Sequence, residues 1–173
     1  MKIGFWAGLL ATAMVAACNG AAGDRSPVEE RAGASDKRAI APRFVVTESN
    51  FDHDETMRRL YEALDRRDLT VFAVIDHAAG AREAGLELPA STVVIFGSPD
   101  IGTPLMQVEP LMAAELPIRA AVFEDSDGKV KVAVTSMNAM LRAYENLSSE
   151  RQRIDRIRNN LAALSAETTG TDG

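Results

Sequence analysis

The spacing of apolar residues changes character several times along this chain, and each change predicts an element. Met57, Leu60, Tyr61 and Leu64 recur at i, i+3, i+4 and i+7, while Arg58, Glu62, Asp65 and Arg66 fall largely between them. That is one apolar face of a helix. Asp52, with Glu55 three residues later, supplies its start in the form of a capping box. Arg43–Thr47 precedes it as a strand. Leu69–Ile75 follows as a nearly continuous apolar run rich in β-branched residues. Such a run predicts a central strand buried on both faces. Ala78–Ala84 reads as a short helix ended by Gly85, and Thr92–Phe96 as a second buried strand ended by the Gly97-Ser98-Pro99-Asp100 turn.

Thr103 suits an N-cap with Pro104 at the first helical position. The helix this predicts covers Leu105–Val108, is interrupted at Pro110 and resumes to Leu116. Ile118–Glu124 and Lys129–Val134 form the clearest hairpin, joined by Asp125-Ser126-Asp127-Gly128, where Gly128 can take positive φ. Lys129 and Lys131 alternate with Val130, Val132 and Val134, so one face of this strand is predicted to be wet. A helix over Met137–Tyr144 closes the domain. The sum is an α+β fold: a single compact domain over 42–146, with four to five mostly antiparallel strands and helices on one face.

Beyond it, Leu147, Ile154, Ile157, Leu161 and Leu164 are spaced by seven, three, four and three residues. This is an a/d seam on a C-terminal amphipathic helix within 147–173. Two outcomes fit it. The helix docks on its own domain, or it pairs with a twin or an envelope partner through Ile154, Ile157, Leu161 and Leu164. The tail from Thr168 onward is expected to fray.

The N-terminus has a different pattern. Lys2 precedes an apolar stretch through Val15, small residues Ala16 and Ala17 follow, and then comes Cys18, the single cysteine of 173 residues. This is the layout of a secretory signal, too short for a comfortable membrane span. Val15-Ala16-Ala17-Cys18 resembles the bacterial lipoprotein lipobox. That resemblance implies removal of residues 1–17 and lipid (palmitate among its acyl chains) on Cys18, which anchors the chain to a membrane. An ordinary signal and an uncleaved anchor are the alternatives. Asn19 in place of aspartate implies an outer-membrane destination within the bacterial envelope, facing the periplasm. Residues 18–41 show no apolar period and predict a disordered tether.

Charge and composition narrow the functions. The net charge is −6, and loss of Lys2 takes it to −7. An acidic domain is a poor partner for nucleic acid, which needs an excess of Lys and Arg. With Cys18 lipidated, the domain has no thiol for catalysis, redox exchange or metal binding. No cofactor motif, catalytic set or ligand pair at helical spacing appears, so neither cofactor nor metal is expected. Of two histidines, His53 sits between two aspartates in a first helical turn and is expected to be solvated. His77 follows a strand as Asp76-His77, a position that often lines sites.

Thr70–Ala81, Ala84-Gly85-Leu86, Phe96-Gly97-Ser98-Pro99, Gly102-Thr103-Pro104-Leu105-Met106, Leu116-Pro117 and Glu124-Asp125 with Asp127–Val130 are similar to the "domain of unknown function 302" family over about 43–145. The resemblance implies a compact α+β domain and no established activity. The family's Tyr-Asn-Asp-Pro-like segment is replaced here by Val134-Thr135-Ser136-Met137. What carries over as a candidate ligand pocket is His77, Phe96, Gly97, Pro99, Thr103 and Met106. Three functions follow as expectations: a lipid-anchored periplasmic binding or accessory module for a small molecule, a small-molecule enzyme using His77 as acid–base group, or a structural envelope protein assembling through the C-terminal helix.

Overall fold

The computed structural model describes residues 42–171; the signal, Cys18 and the tether lie outside the described residues. The elements are β1 (Phe44–Glu48), α1 (His53–Asp65), β2 (Thr70–Asp76), α2 (His77–Glu83), β3 (Ser91–Gly97), α3 (Pro99–Val108), α4 (Met112–Glu115), β4 (Ile118–Glu124), β5 (Val130–Thr135), α5 (Met137–Ala143) and α6 (Arg151–Thr169), with a 3-10 segment at Glu145–Glu150. The five strands form one antiparallel sheet in the order β1-β5-β4-β3-β2. The fold is α+β and a single domain, as the alternation of periods predicts.

Val94, Phe96, Ala120, Val122, Val132 and Val134 project from one face of the sheet and are buried. Leu60 and Leu64 of α1 and Ile154 and Leu164 of α6 complete the same core. The start of α1 is the capping box read from sequence: the Asp52 carboxylate accepts the Glu55 N–H at 2.8 Å. The hairpin turn is held by Asp125, whose Oδ1 accepts the N–H groups of Asp127 and Lys129, both at 3.0 Å. Its other oxygen pairs with Lys131. The Lys131 bond and these N–H donors pull the Asp125 carboxyl down to a pKa of about 2.

Three expectations are corrected. The apolar run of β2 is not central: it forms the sheet edge, pairs only with β3, and all seven residues are exposed. Phe72 bulges out of register between Val71 and Ala73 and is 52% exposed. The composition of a strand reports its affinity for apolar surroundings, but its place in the sheet decides whether it gets them. Second, α3 begins at Pro99, with Ser98 at the cap position, so Pro104 lies inside the helix rather than at its start. Ser98-Pro99 is an equally good start signal five residues earlier.

Third, the C-terminal helix belongs to the domain rather than following it. Ile154, Ile157, Leu161 and Leu164 are all buried in the common core, against α1 and β5. Of the two outcomes, docking is what the chain adopts, and the seam is covered by its own domain. Arg66 and Arg67 reach the Glu167 carboxylate, and Arg59 donates to the Glu167 carbonyl at 2.8 Å. Thr168 and Thr169 are buried rather than frayed. Gly170 then ends α6 at φ +68°, beside the Phe51 ring.

Candidate functional site

At the Gly97 end of β3 the chain turns into α3, and the space between α3, the start of β4 and the side of α6 is not filled. The result is a cavity of about 270 Å³. Ile101, Leu105 and Met106 line it from α3, Leu116 and Pro117 from the segment entering β4, and Phe72 from the β2 bulge. Met137 and Ile157 contribute from α5 and α6. No charged side chain lines it. Its two hydroxyls, Ser98 and Thr103, come from the first turns of α3, and Ser98 makes no side-chain cap bond. The cavity can therefore take an uncharged apolar body, with two hydroxyls to bond a polar end.

Local sequence explains how the walls are placed. The bulge at Phe72 lies next to Gly97, and a Cβ built on Gly97 would stand 3.7 Å from the Phe72 ring and 3.8 Å from Pro117. Gly102 keeps similar room between Leu116 and Met106. Leu116-Pro117 is a cis peptide. The wall it belongs to is tied down by polar contacts nearby. Glu115 accepts from Arg43 and from the Tyr144 hydroxyl, both at 2.9 Å, and this bond raises the Tyr144 pKa. Glu109, almost fully buried, accepts from Asn146 at 2.9 Å and from the Leu111 N–H at 3.1 Å. These carboxylates serve the fold, since each is engaged by its own neighbours.

The structure divides the set of residues picked from sequence. Gly97, Pro99, Thr103 and Met106 line this cavity together. Phe96 is a core residue that backs it from the neighbouring recess beside Arg67 and Asn160. His77 is elsewhere. It begins α2 at the opposite end of β2, and because Thr70 pairs with Gly97 and Asp76 with Thr92, it lies about 20 Å along the strand from the cavity. His77 is exposed, and no side chain among the described residues bonds its ring. Asp76 does not orient it either: its carboxylate caps α2 through the Ala79 N–H at 2.8 Å. His53 departs from its expected solvated state, with Nε2 buried and without a hydrogen-bond partner among the described residues.

The walls that sequence reading missed, Phe72, Ile101, Leu116, Met137 and Ile157, carry no local signal. They come from separate elements and look like ordinary core residues. Leu116-Pro117 was visible only as part of the family pattern.

Fold and cavity together define a class: a small α+β domain with helices on one face of an antiparallel sheet and an apolar recess at one sheet end. Within that class the chain belongs to the family described as domain of unknown function DUF302, whose sequence profile matches residues 45–167. The match takes in α6, in agreement with its place in the core. A solved relative in structure is an uncharacterized conserved DUF302 protein from Bacillus stearothermophilus, with a TM-score of 0.66 and 18% identity over 74% of this chain and 99% of that one. That likeness shows the fold. Two proteins named fluoride-specific ion channel FluC 1, from Brucella suis and Brucella abortus, are each 43% identical over 129 residues, 74% of this chain. The chain spans 46% and 44% of their lengths, under half of each.

Proposed function

We propose that the domain is a binding module for a small, uncharged, largely apolar molecule held in the cavity between α3 and the Gly97 end of the sheet. The observation that carries this reading is the lining: ten or more apolar side chains and backbone segments, two hydroxyls and no charge. A cavity of 150 Å³ is enough for benzene, so one of about 270 Å³ suits a molecule of one to two rings or a short alkyl chain. Burying about 200–250 Å² of apolar ligand surface at ~25 cal/mol/Å² contributes about 5–6 kcal/mol, a dissociation constant of roughly 0.05–0.2 mM.

The anchor is part of the same proposal. Lipid on Cys18 and a tether over residues 19–41 would hold the module at the bacterial envelope, facing the periplasm, with the outer membrane as its site. Val15-Ala16-Ala17-Cys18 supports this. The named channels support an accessory role at a membrane. An α-helical channel needs spanning helices, no described helix here is long and apolar enough to cross a membrane, and the match covers less than half of each channel protein. The shared part is then a domain carried alongside a channel. Fluoride itself is a poor occupant of the cavity, because a buried anion needs a paired charge or several donors. An acid–base role for His77 has no partner group to support it, and assembly through the α6 seam would require that helix to leave its own core.

Binding of 1-aminonaphthalene, a neutral two-ring fluorescent probe, tests the reading. The wild-type chain should enhance its emission with a saturable sub-millimolar transition, and Met106→Trp, which fills the cavity, should weaken it at least tenfold. Micelle background is common to both proteins. Equal titrations for the two would remove the cavity as the binding site.

A further inference from the structure

The two faces of the sheet differ in a way that its helices do not explain. On β3 and β4, Val94, Phe96, Ala120 and Val122 are fully buried, whereas Val93, Ile95, Ala121 and Phe123 on the opposite face are only half-buried. A solvated face of an antiparallel sheet normally alternates to polar residues. Here the rows at the two ends do so, one with Glu48, Lys131 and Ser91 and the other with Thr135 and Arg119, but the row between them does not. The pairing registers place Val46, Ala133, Ala121, Val93 and Ile75 in a single row straight across all five strands. Val46 at one end is 54% exposed and Ile75 at the other 43%. Between these ends Ala121 and Val93 are half-buried and the small Ala133 is buried among its neighbours, so the open apolar surface is greatest at the two ends of the row.

We infer that this face is covered by a second copy of the chain, sheet against sheet, about a two-fold axis that runs along the apolar row and crosses β4 at Ala121. Three features of the face select a copy of itself. The axis lays the row upon its own equivalent, with small Ala121 and Ala133 at the centre allowing close approach. Arg119 and Phe123 lie two residues on either side of Ala121 on the same strand, so the axis sets Arg119 of each copy over the Phe123 ring of the other. Arg119 makes no ion pair among the described residues, whereas Lys131 and Glu48 already pair with Asp125 and Lys129 in their own chain. The size fits a weak, reversible pair. Five strands about 4.8 Å apart, with three outward residues each, make a patch of about 400 Å² per copy before side-chain relief. Two copies bury about 800 Å², below the ~1,000 Å² of a stable specific interface, so the pairing is a transient one. An anionic membrane is the poorer occupant for a chain of net charge −6.

Cross-linking of the full chain in a Cys18→Ser background tests this. Each added thiol is then the only one present. Ala121→Cys lies on the proposed axis; Val46→Cys lies on the same row, outside the packed core, and is independent of any folding defect at Ala121. Leu86→Cys, 65% exposed in the loop after α2, is the off-face control. A short bismaleimide should convert both row variants to covalent homodimer at least tenfold faster than the control. Adding Val46→Glu to the Ala121→Cys chain should abolish that advantage without shifting the thermal melt by more than a few degrees. Row variants that cross-link no faster than Leu86→Cys, or that cross-link only to other proteins, overturn the proposal, as does an advantage that survives Val46→Glu. The outcome is independent of probe binding in the cavity.

Discussion

Replacing Leu164 by alanine measures whether α6 is part of the folded unit. Leu164 is fully buried and packs in the core shared with α1 and the sheet. Leu→Ala at such a site removes the transfer energy of the lost methyl groups and leaves a cavity, together about 2–5 kcal/mol. Closure of the gap is limited, because Leu60, Leu64, Ile154 and the sheet hold the surrounding walls. A value of about 3 kcal/mol is therefore expected. With a urea m-value of about 1.5–2 kcal/mol/M for a domain of this size, the unfolding midpoint should fall by roughly 1.5–2 M. The change should appear in one cooperative transition. Ala163→Ser, one residue away on the exposed side of the same helix, should move the midpoint by less than a third of that. Urea unfolding followed by circular dichroism reads both. A Leu164→Ala loss below about 1 kcal/mol, or a separate early transition for the helix, would mean that α6 is not docked in solution and that its seam is free to pair.

Further outcomes follow from the C-terminal end of the same helix. Bonds from Arg67 and Arg66 hold the Glu167 carboxyl down at a pKa of about 2, against an ordinary value of 4.5. A depressed carboxylate contributes stability above its unfolded pKa and loses it as pH falls through the folded one, so the contribution should fade between about pH 5 and pH 2. The side chain is 40% exposed, and screening limits its worth to about 1 kcal/mol. Glu167→Gln should flatten that acid limb of the stability curve by this amount, and an unchanged limb would show that the arginines do not hold the carboxylate in solution. Gly170→Ala should destabilise by more than 1 kcal/mol in the same urea assay, because a Cβ there would stand 2.5 Å from the Phe51 ring at a φ of +68°. Phe51→Ala should recover part of that loss, since it removes the ring that clashes.

Much of the fold was legible because its signals are local. The Asp52–Glu55 capping box, the 3.6-residue period of α1 and the Asp125–Gly128 turn each depend on neighbours within a few residues; the alternation expected along β5 holds only at Lys131, since Ala133 and Thr135 on the same face are buried. The spacing of Ile154, Ile157, Leu161 and Leu164 likewise predicts a helix with one apolar face. What covers that face is not local information, so the sequence left docking and pairing open. Gly170 was a readable stop signal, and the placing of frayed residues from Thr168 onward overlooked it.

The site was less legible. Gly97, Pro99, Thr103 and Met106 come together because they follow one another through a single strand-to-helix turn. His77 was grouped with them through its place at a strand end and through the family pattern, and antiparallel pairing of β2 with β3 carries it to the other end of the sheet. The apolar run of β2 shows the same limit: residue type declares that Val71, Phe72, Val74 and Ile75 favour burial, yet strand order leaves them exposed at an edge.

By itself, then, the sequence determined most of the elements, the cap of α1, the hairpin turn, the α+β class and the family, which rest on side-chain preferences close together along the chain. Tertiary structure alone decided that α6 closes the core, that an uncharged cavity opens beside Gly97, and that an apolar sheet face is left outward. Each of these depends on which distant segments share a surface, and burial is a property of that shared surface rather than of any residue within it.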